Sequence, residues 1–387
     1  MAFLSHNNLM TDWKIPLYKV YTDDEDIGII TKIIKRGTFW ALGPEILEFE
    51  NALKNYVNAD YCATLNSGTS SLHATLLSYG IGKNDEVLIP SFSFVSTANS
   101  VLFVDSTPKF VDIEEETFGL DPTKISENIS SKTKAIIPMD YGGQSCKILE
   151  IQEQAKNHDL ILIEDAAESL GSSVNNKKLG EISDATIFSF CGNKVLTTGE
   201  GGAVVTNSKE VIEKIKLLRS HGRIDPTNYF SNPEESSYIG LGYNWRMSSI
   251  TAALGISQLQ KLDKIIQLRQ THANDLMKHL KKIPEICLPI PPQGNNHIYQ
   301  MFTIRLPTKD IRDKLHLHLT NKQIFSKVYF NPIHKTQFYK TKFNTETLSL
   351  PITQQVSDQV LTLPLYPNME SEEKNYLLSS IFEFFEN

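Results

Sequence analysis

The sequence predicts an α/β fold, a mostly parallel mixed sheet covered by helices on both faces, followed by a second, smaller unit. Up to about residue 260, short β-branched runs alternate with helical patterns, the mark of βαβ units. These strands are apolar on both faces, as central strands of a covered sheet are. The chain has 387 residues of which 40% are hydrophobic, enough apolar material for two cores.

Taken in order, Leu72, Leu76 and Leu77 share one face of a helix over 69–79, closed by Gly80 and Gly82. Residues 86–90 (EVLIP) read as a strand, 95–104 as a helix and 108–113 as the next strand. A strand at 135–139 and a helix at 146–157 lead to a strand at 160–163, which runs into Glu164-Asp165. Strands at 185–190 and 202–206 precede a helix at 209–219. Ile250, Leu254, Leu259, Leu262 and Ile266 make one apolar stripe, read as a single long helix over 248–269, with a further helix over 271–283. The proline-rich stretch 284–292 breaks the pattern. The large unit is placed at 15–265 and the small one at 266–387, with segment 1–14 packing nearby. Segments 297–306 and 311–320 are expected to continue the alternation of strands and helices.

Acidic residues number 45 against 38 basic ones, a formal charge of −7. Such a chain has no general electrostatic reason to hold nucleic acid or an anionic membrane. Cys62, Cys146, Cys191 and Cys287 are scattered without metal-ligand spacing and read as reduced thiols of a cytoplasmic protein. No metal site is expected. The N-terminus lacks a charged region followed by an apolar stretch, and the apolar runs are strand-sized, too short to cross a bilayer. There is no GxGxxG after a strand, no GxxxxGK[ST], no HExxH and no GxSxG, which removes the commonest cofactor and hydrolase readings.

Four local features remain. Asn66-Ser67-Gly68-Thr69-Ser70-Ser71 opens a helix with small hydroxyl residues around a glycine. It is an ordinary N-cap taken alone, but it also suits a phosphate at the helix N-terminus. Glu164-Asp165-Ala166-Ala167-Glu168 puts carboxylates at the end of a strand, where they could cap a turn or hold a cationic ring nitrogen. Lys194 leaves the apolar run Phe188-Ser189-Phe190 and is trailed by the glycine-rich 199–202. A lysine shielded from water loses its charge readily and attacks aldehydes. Tyr243-Asn244-Trp245-Arg246 precedes the long helix, either as an aromatic-anchored loop or as a ligand contact.

In combination and in this order, GTSSL, EDAAE, the Lys194 segment FSFCGNKVLTTGEGG and GYNWRMSSITAALG resemble the DegT/DnrJ/EryC1/StrS sugar aminotransferases. These are pyridoxal-phosphate enzymes of fold type I, with an aspartate aminotransferase-like large domain. The resemblance runs from Ile15-Pro16-Leu17 through Pro332-Ile333-His334. It implies pyridoxal 5'-phosphate (PLP) as cofactor, with the PMP form arising during turnover. Lys194 would hold the cofactor aldehyde covalently and then move the proton between substrate carbon and cofactor. Asp165 would pair with the pyridine nitrogen. Phe94 would stack on the ring, with Phe92 as a rival that alternation does not separate. Gly68, Thr69, Ser70 and Ser189 would take the phosphate, joined by Asn244 from a second subunit, so a homodimer with shared sites is implied. Glu168 would stand near the reacting region of the cofactor. Trp40, Arg246, Tyr329 and His334 are candidates for contacting the sugar, the diphosphate or the carboxylate of glutamate.

The stretch 37–44 (GTFWALGP), with EDAAE and the Lys194 segment, looks most like the GDP-perosamine synthase branch, which aminates C4 of a GDP-linked 4-keto-6-deoxy sugar with glutamate as donor. Amination at C3 or C4 of a sugar on a dTDP or UDP carrier is the alternative, and a non-catalytic relative is a third reading. Dehydratases on the same fold replace the lysine by histidine. Position 194 is Lys, which favours transamination.

Overall fold

The computed structural model describes residues 13–224 and 237–386. Seven strands form the central sheet: β1 (Tyr61–Leu65), β2 (Glu86–Pro90), β3 (Thr107–Val111), β4 (Thr133–Ile136), β5 (Ile161–Asp165), β6 (Ala185–Ser189) and β7 (Gly202–Thr206). Their spatial order is β1-β7-β6-β5-β4-β2-β3. Only β7 runs against its neighbours, pairing antiparallel with β1 and β6. The pairs β6–β5, β5–β4, β4–β2 and β2–β3 are parallel. The carboxyl ends of β1, β2, β4, β5 and β6 therefore emerge along one edge. β1 escaped the sequence reading because Tyr-Cys-Ala-Thr-Leu carries no alternation and few β-branched residues.

The connections are helical: α1 (Asp24–Arg36), α2 (Pro44–Tyr56), α3 (Gly68–Ser78), α4 (Val95–Phe103), α5 (Ile148–Asn157) and α6 (Lys209–Leu218). The expected single helix over 248–269 is two, α7 (Ser249–Gln260) and α8 (Leu262–Leu280). The break falls at Lys261, with φ −107° and ψ 5°. Its buried ammonium, 3.0 Å from Asp26 Oδ2 and also bonded to Asp23, ties the break to the start of α1. No break occurs at 270, where the Thr271 hydroxyl bonds the Gln267 carbonyl within the helix. Apolar stripes set helix faces, but they do not show where a tertiary ion pair interrupts the axis.

Apolar clusters cover both faces of the sheet, one around Leu76, Ile89 and Ile187 and another around Phe49, Phe188 and Leu262. A separate cluster joins Ile15 to Leu276, Phe302, Leu315, Leu363 and Ile381. It is built on the antiparallel pair β8 (Phe302–Arg305) and β9 (Val360–Leu363) and on helices α9 (Lys309–Asn321), α10 (Pro351–Gln359) and α11 (Ser371–Glu386). Within 1–14, residues 1–12 lie outside the described residues. Trp13 stacks on Phe325 at 5.0 Å and Lys14 lies over the Tyr376 ring. Segment 333–350 turns back: Ile333, Tyr339 and Leu350 pack into the core of the large sheet.

Candidate active site

The carboxyl edge of the sheet gathers most of the residues singled out from sequence. After β1, Ser67 caps α3 by accepting the Ser70 N–H at 3.1 Å, leaving Gly68 and Thr69 in the first turn. A helix start of this kind presents unpaired N–H groups and a partial positive charge. Gly68 lies against Ser189 at the end of β6, and a Cβ on Gly68 would sit 3.0 Å from that of Ser189. Gly202, paired with Ser189, lies against the Ser67–Gly68 backbone. A Cβ there would fall 2.5 Å from the Ser67 carbonyl and 2.6 Å from the Gly68 nitrogen, so only glycine allows β7 to pass. The Ser70 hydroxyl turns inward, donating to Asn66 Oδ1 at 2.6 Å.

Asp165 ends β5, 4% exposed. Burial pushes its carboxyl above the ordinary range, and the Thr97 hydroxyl, donating to Oδ2 at 2.7 Å, works against that rise. Thr97 is itself bonded to the Ser93 hydroxyl at 2.7 Å. This Ser93–Thr97–Asp165 chain was not foreseen; the signal was a run of small hydroxyl residues straddling the start of an apolar helix. The charge of Lys194 also acts to hold Asp165 ionised.

Lys194 follows β6 with its side chain 13% exposed, and its Nζ lies 3.3 Å from Glu168 Oε1. The other oxygen of Glu168 accepts the Gly142 N–H at 3.0 Å, where Gly142 takes φ 68°, a conformation suited to glycine. A lysine amine in this near-dry corner, beside two buried carboxylates, can exchange protons and make a covalent bond to a carbonyl.

The two phenylalanines part company. Phe92 is fully buried among Phe118, Tyr141 and Phe330, whereas Phe94 is 58% exposed at the N-cap of α4. Alternation could not separate them because both lie beyond β2, in irregular backbone. Phe94 is the ring free to cover a ligand. Tyr329 also reaches this corner: burial, with the Glu168 charge adding to it, pushes its hydroxyl up to about 12.

Asn244, Arg246 and Trp40 lie on a neighbouring surface. Tyr243 and Trp245 stack at 3.8 Å, which turns the exposed Asn244 the other way. Its carbonyl accepts a bond from Asn66 at 3.3 Å, so this strap leans on the turn before α3. Arg246 bonds Ser220 at 3.3 Å and lines a cavity of about 390 Å³ with Phe39, Gly43, Leu47 and Arg219. Trp40, 46% exposed, is fixed by its indole N–H to the Ile33 carbonyl at 3.1 Å. This cavity does not border Lys194 of the same chain.

His334, expected to contact substrate, is 1% exposed, its Nδ1 paired with Ser91 Oγ at 2.6 Å, and burial pushes it down to about 4. It opens the returning segment 333–350, whose Ile333, Tyr339 and Leu350 pack into the large core. Among the described residues no group of His, Cys, Asp and Glu is arranged to hold a metal ion.

The 3-2-4-5-6-7-1 sheet with helices on both faces, which gathers a shielded lysine, a buried aspartate and a glycine-led helix start on one edge, is that of a fold-type-I pyridoxal-phosphate transferase. The chain belongs to the DegT/DnrJ/EryC1/StrS aminotransferase family, whose profile matches residues 20–382. It is 36% identical to GDP-perosamine synthase of Caulobacter vibrioides over 298 residues, 74% of this chain and 78% of that one. It is 39% identical to UDP-4-amino-4,6-dideoxy-N-acetyl-beta-L-altrosamine transaminase of Campylobacter jejuni over 263 residues, 67% of this chain and 68% of that one. Among solved structures, Helicobacter pylori PseC, an aminotransferase involved in the biosynthesis of pseudoaminic acid, superposes with a TM-score of 0.89 at 30% identity, covering 96% of this chain and 99% of that one. The protein is thus an aminotransferase of the nucleotide-sugar type, and the family works with PLP. The residues present fit that group: a side-chain-free cradle at Gly68, a buried carboxylate at Asp165, a shielded amine at Lys194 and an uncovered ring at Phe94.

Proposed function

We propose that the protein transfers the amino group of glutamate to C4 of a GDP-linked 4-keto-6-deoxy sugar, in the manner of a GDP-perosamine synthase. The similarity to the Caulobacter enzyme supports the carrier and the position of attack. The Campylobacter transaminase, whose name specifies a UDP-linked sugar, supports a UDP carrier as the second reading. When bound, PLP supplies an electron sink for the carbon losing its proton. The rest falls to the protein. Lys194, its amine held by Glu168, would hold the cofactor and would be the base that takes a proton from the substrate carbon. Asp165, held by Thr97, keeps its charge toward the ring nitrogen. The start of α3 with Gly68, Thr69 and Ser189, the last two by their hydroxyls, receives the phosphate; the inward-turned Ser70 supports the turn. Phe94 covers the ring, and Tyr329 stands on the substrate side.

A homodimer is part of the proposal: Asn244 of one subunit completes the phosphate site of the other, with Trp40 and Arg246 on the same exposed surface meeting the nucleotide-sugar. The free thiols of Cys62, Cys146, Cys191 and Cys287 accord with a cytoplasmic setting, and no helix of the described residues is long and apolar enough to cross a membrane.

The shielded Lys194 amine beside Glu168 and Asp165 carries this reading. Borohydride reduction followed by peptide mapping should find the cofactor on Lys194, and its absence there would reject the reading. Mass spectrometry of products formed from GDP-, UDP- and dTDP-linked 4-keto-6-deoxy sugars with glutamate distinguishes the carriers.

A further inference from the structure

Directly behind Asp165 lie two carboxyl groups that the chemistry above leaves unused. Asp140 and Glu164 are both fully buried, and neither forms an ion pair among the described residues. One oxygen of each is occupied. Asp140 Oδ1 accepts the Cys146 N–H at 2.8 Å, and Glu164 Oε2 accepts the Thr186 hydroxyl at 2.8 Å and the Ser183 hydroxyl at 3.3 Å. The other oxygens, Asp140 Oδ2 and Glu164 Oε1, have no donor from elsewhere in the protein. Asp140 stands where the chain leaving β4 pairs with Asp165, beside Glu164 on β5, and the two carboxyls act on each other.

Two dry carboxylates in contact without a cation cannot both stay ionised; one proton between them satisfies both orphaned oxygens at once. The backbone links this pair to the site. The Asp140 N–H donates to the Asp165 carbonyl at 3.1 Å, and the Asp165 N–H donates to Pro138 at 2.9 Å, so the end of β4 brackets Asp165. Glu164 precedes Asp165 on β5 and points to the opposite face of the sheet.

We propose that Asp140 and Glu164 share one proton across the ends of β4 and β5, and that this acid pair is a positioning unit for Asp165. With the proton in place, the pair adds one negative charge beside Asp165 rather than two, and it pins the strand ends that aim the Asp165 carboxylate. The titratable groups nearest the pair are Asp165, whose side chain lies on the other face of β5, and the Cys146 thiol from the turn after Asp140. Burial holds both carboxyls above their ordinary range, and Glu164 adds its charge to that effect at Asp140. The positioning half of the proposal rests on the cofactor reading given above; the shared proton does not.

The sign follows from linkage. Above the ordinary carboxylate range the unfolded chain has released a proton that the native pair keeps, so stability falls as pH rises. For one proton the folding equilibrium weakens about tenfold per pH unit. Buried histidines such as His334 and His297 are shifted the other way and add an opposite slope common to both proteins, so in melts of the cofactor-free protein between pH 5.5 and 7.5 the wild type should lose about tenfold more of its folding equilibrium per pH unit than Glu164→Gln, whose amide donates without a shared proton. Asp140→Asn makes the same test should Glu164→Gln fold poorly, and an infrared carboxylic-acid band in the wild type at neutral pH, absent from either variant, reads the proton directly. Equal slopes and no such band would overturn the pair. For positioning, Glu164→Ala should bind PLP at least fivefold more weakly than Glu164→Gln; equal affinities would overturn that half. A wild type that fails to bind PLP would reject the cofactor reading while leaving the proton slope intact.

Discussion

Two surfaces of this protein are built on different terms. On the carboxyl edge of the sheet, the polar groups meant for chemistry are buried and partnered: Asp165 by Thr97, Lys194 by Glu168, Glu168 by the Gly142 backbone. On the neighbouring strap and the 37–43 loop, Phe39, Trp40 and Asn244 face outward, as do Tyr238, Ile239 and Leu241. Buried groups sit in one geometry because the surrounding hydrogen bonds fix it. Exposed loop residues are free to meet a ligand or a second copy. On the reading proposed above, the difference teaches that reaction type is set inside the sheet edge, whereas recognition is set on loops that can change without disturbing it.

Substitutions can break that contrast. The largest effect is expected from Lys194→Ala, which should lower turnover by about 10⁴-fold with the fold retained, as kinetics and a thermal melt would show. Asp165→Asn should follow, with a loss of about 10²–10³-fold in kcat. Thr97→Val should cost about tenfold, because Asp165 then lacks the donor that opposes its upward shift. The same loss should move the acid limb of the kcat profile to higher pH, since Asp165 takes up its proton sooner, and Thr97→Ser should restore it. On the other surface, Asn244→Ala should weaken PLP binding about tenfold. Mixing it with Lys194→Ala chains should recover activity only if Asn244 acts across a dimer, because only then does one hybrid site hold both residues. The smallest effect belongs to Trp40→Ala, a several-fold rise in KM for the nucleotide-sugar with kcat little changed. A large kcat loss there would erase the distinction between the two surfaces.

The same contrast governs what could be read from sequence. Strands at 86–90 and 202–206 match β2 and β7 residue for residue, because apolar runs between glycines and turns mark buried strands. Asp165, Glu168, Ser189 and Lys194 could be singled out because each ends or follows a strand read from the sequence, and Gly68 because it opens a helix among small hydroxyl residues. Thr97 was not, since nothing local distinguishes a hydroxyl that caps a carboxylate from one that bonds its own helix. The break at Lys261 and the burial of His334 depend on partners more than 200 residues away in the chain, Asp23 and Asp26 in one case and Ser91 in the other. Periodicity carries no record of such pairings.

The return of segment 333–350 into the large core has a mechanical consequence. The C-terminal cluster and the sheet are joined at several places along the chain besides the prolines at 284–292: by Ile15 at one end, along α8 from Ile266 to Ala273, and by segment 333–350, with Tyr339 bonding Asn99 at 2.8 Å and His334 bonding Ser91. A protease that nicks the proline-rich stretch should therefore yield two fragments that stay together on a sizing column until denaturant separates them.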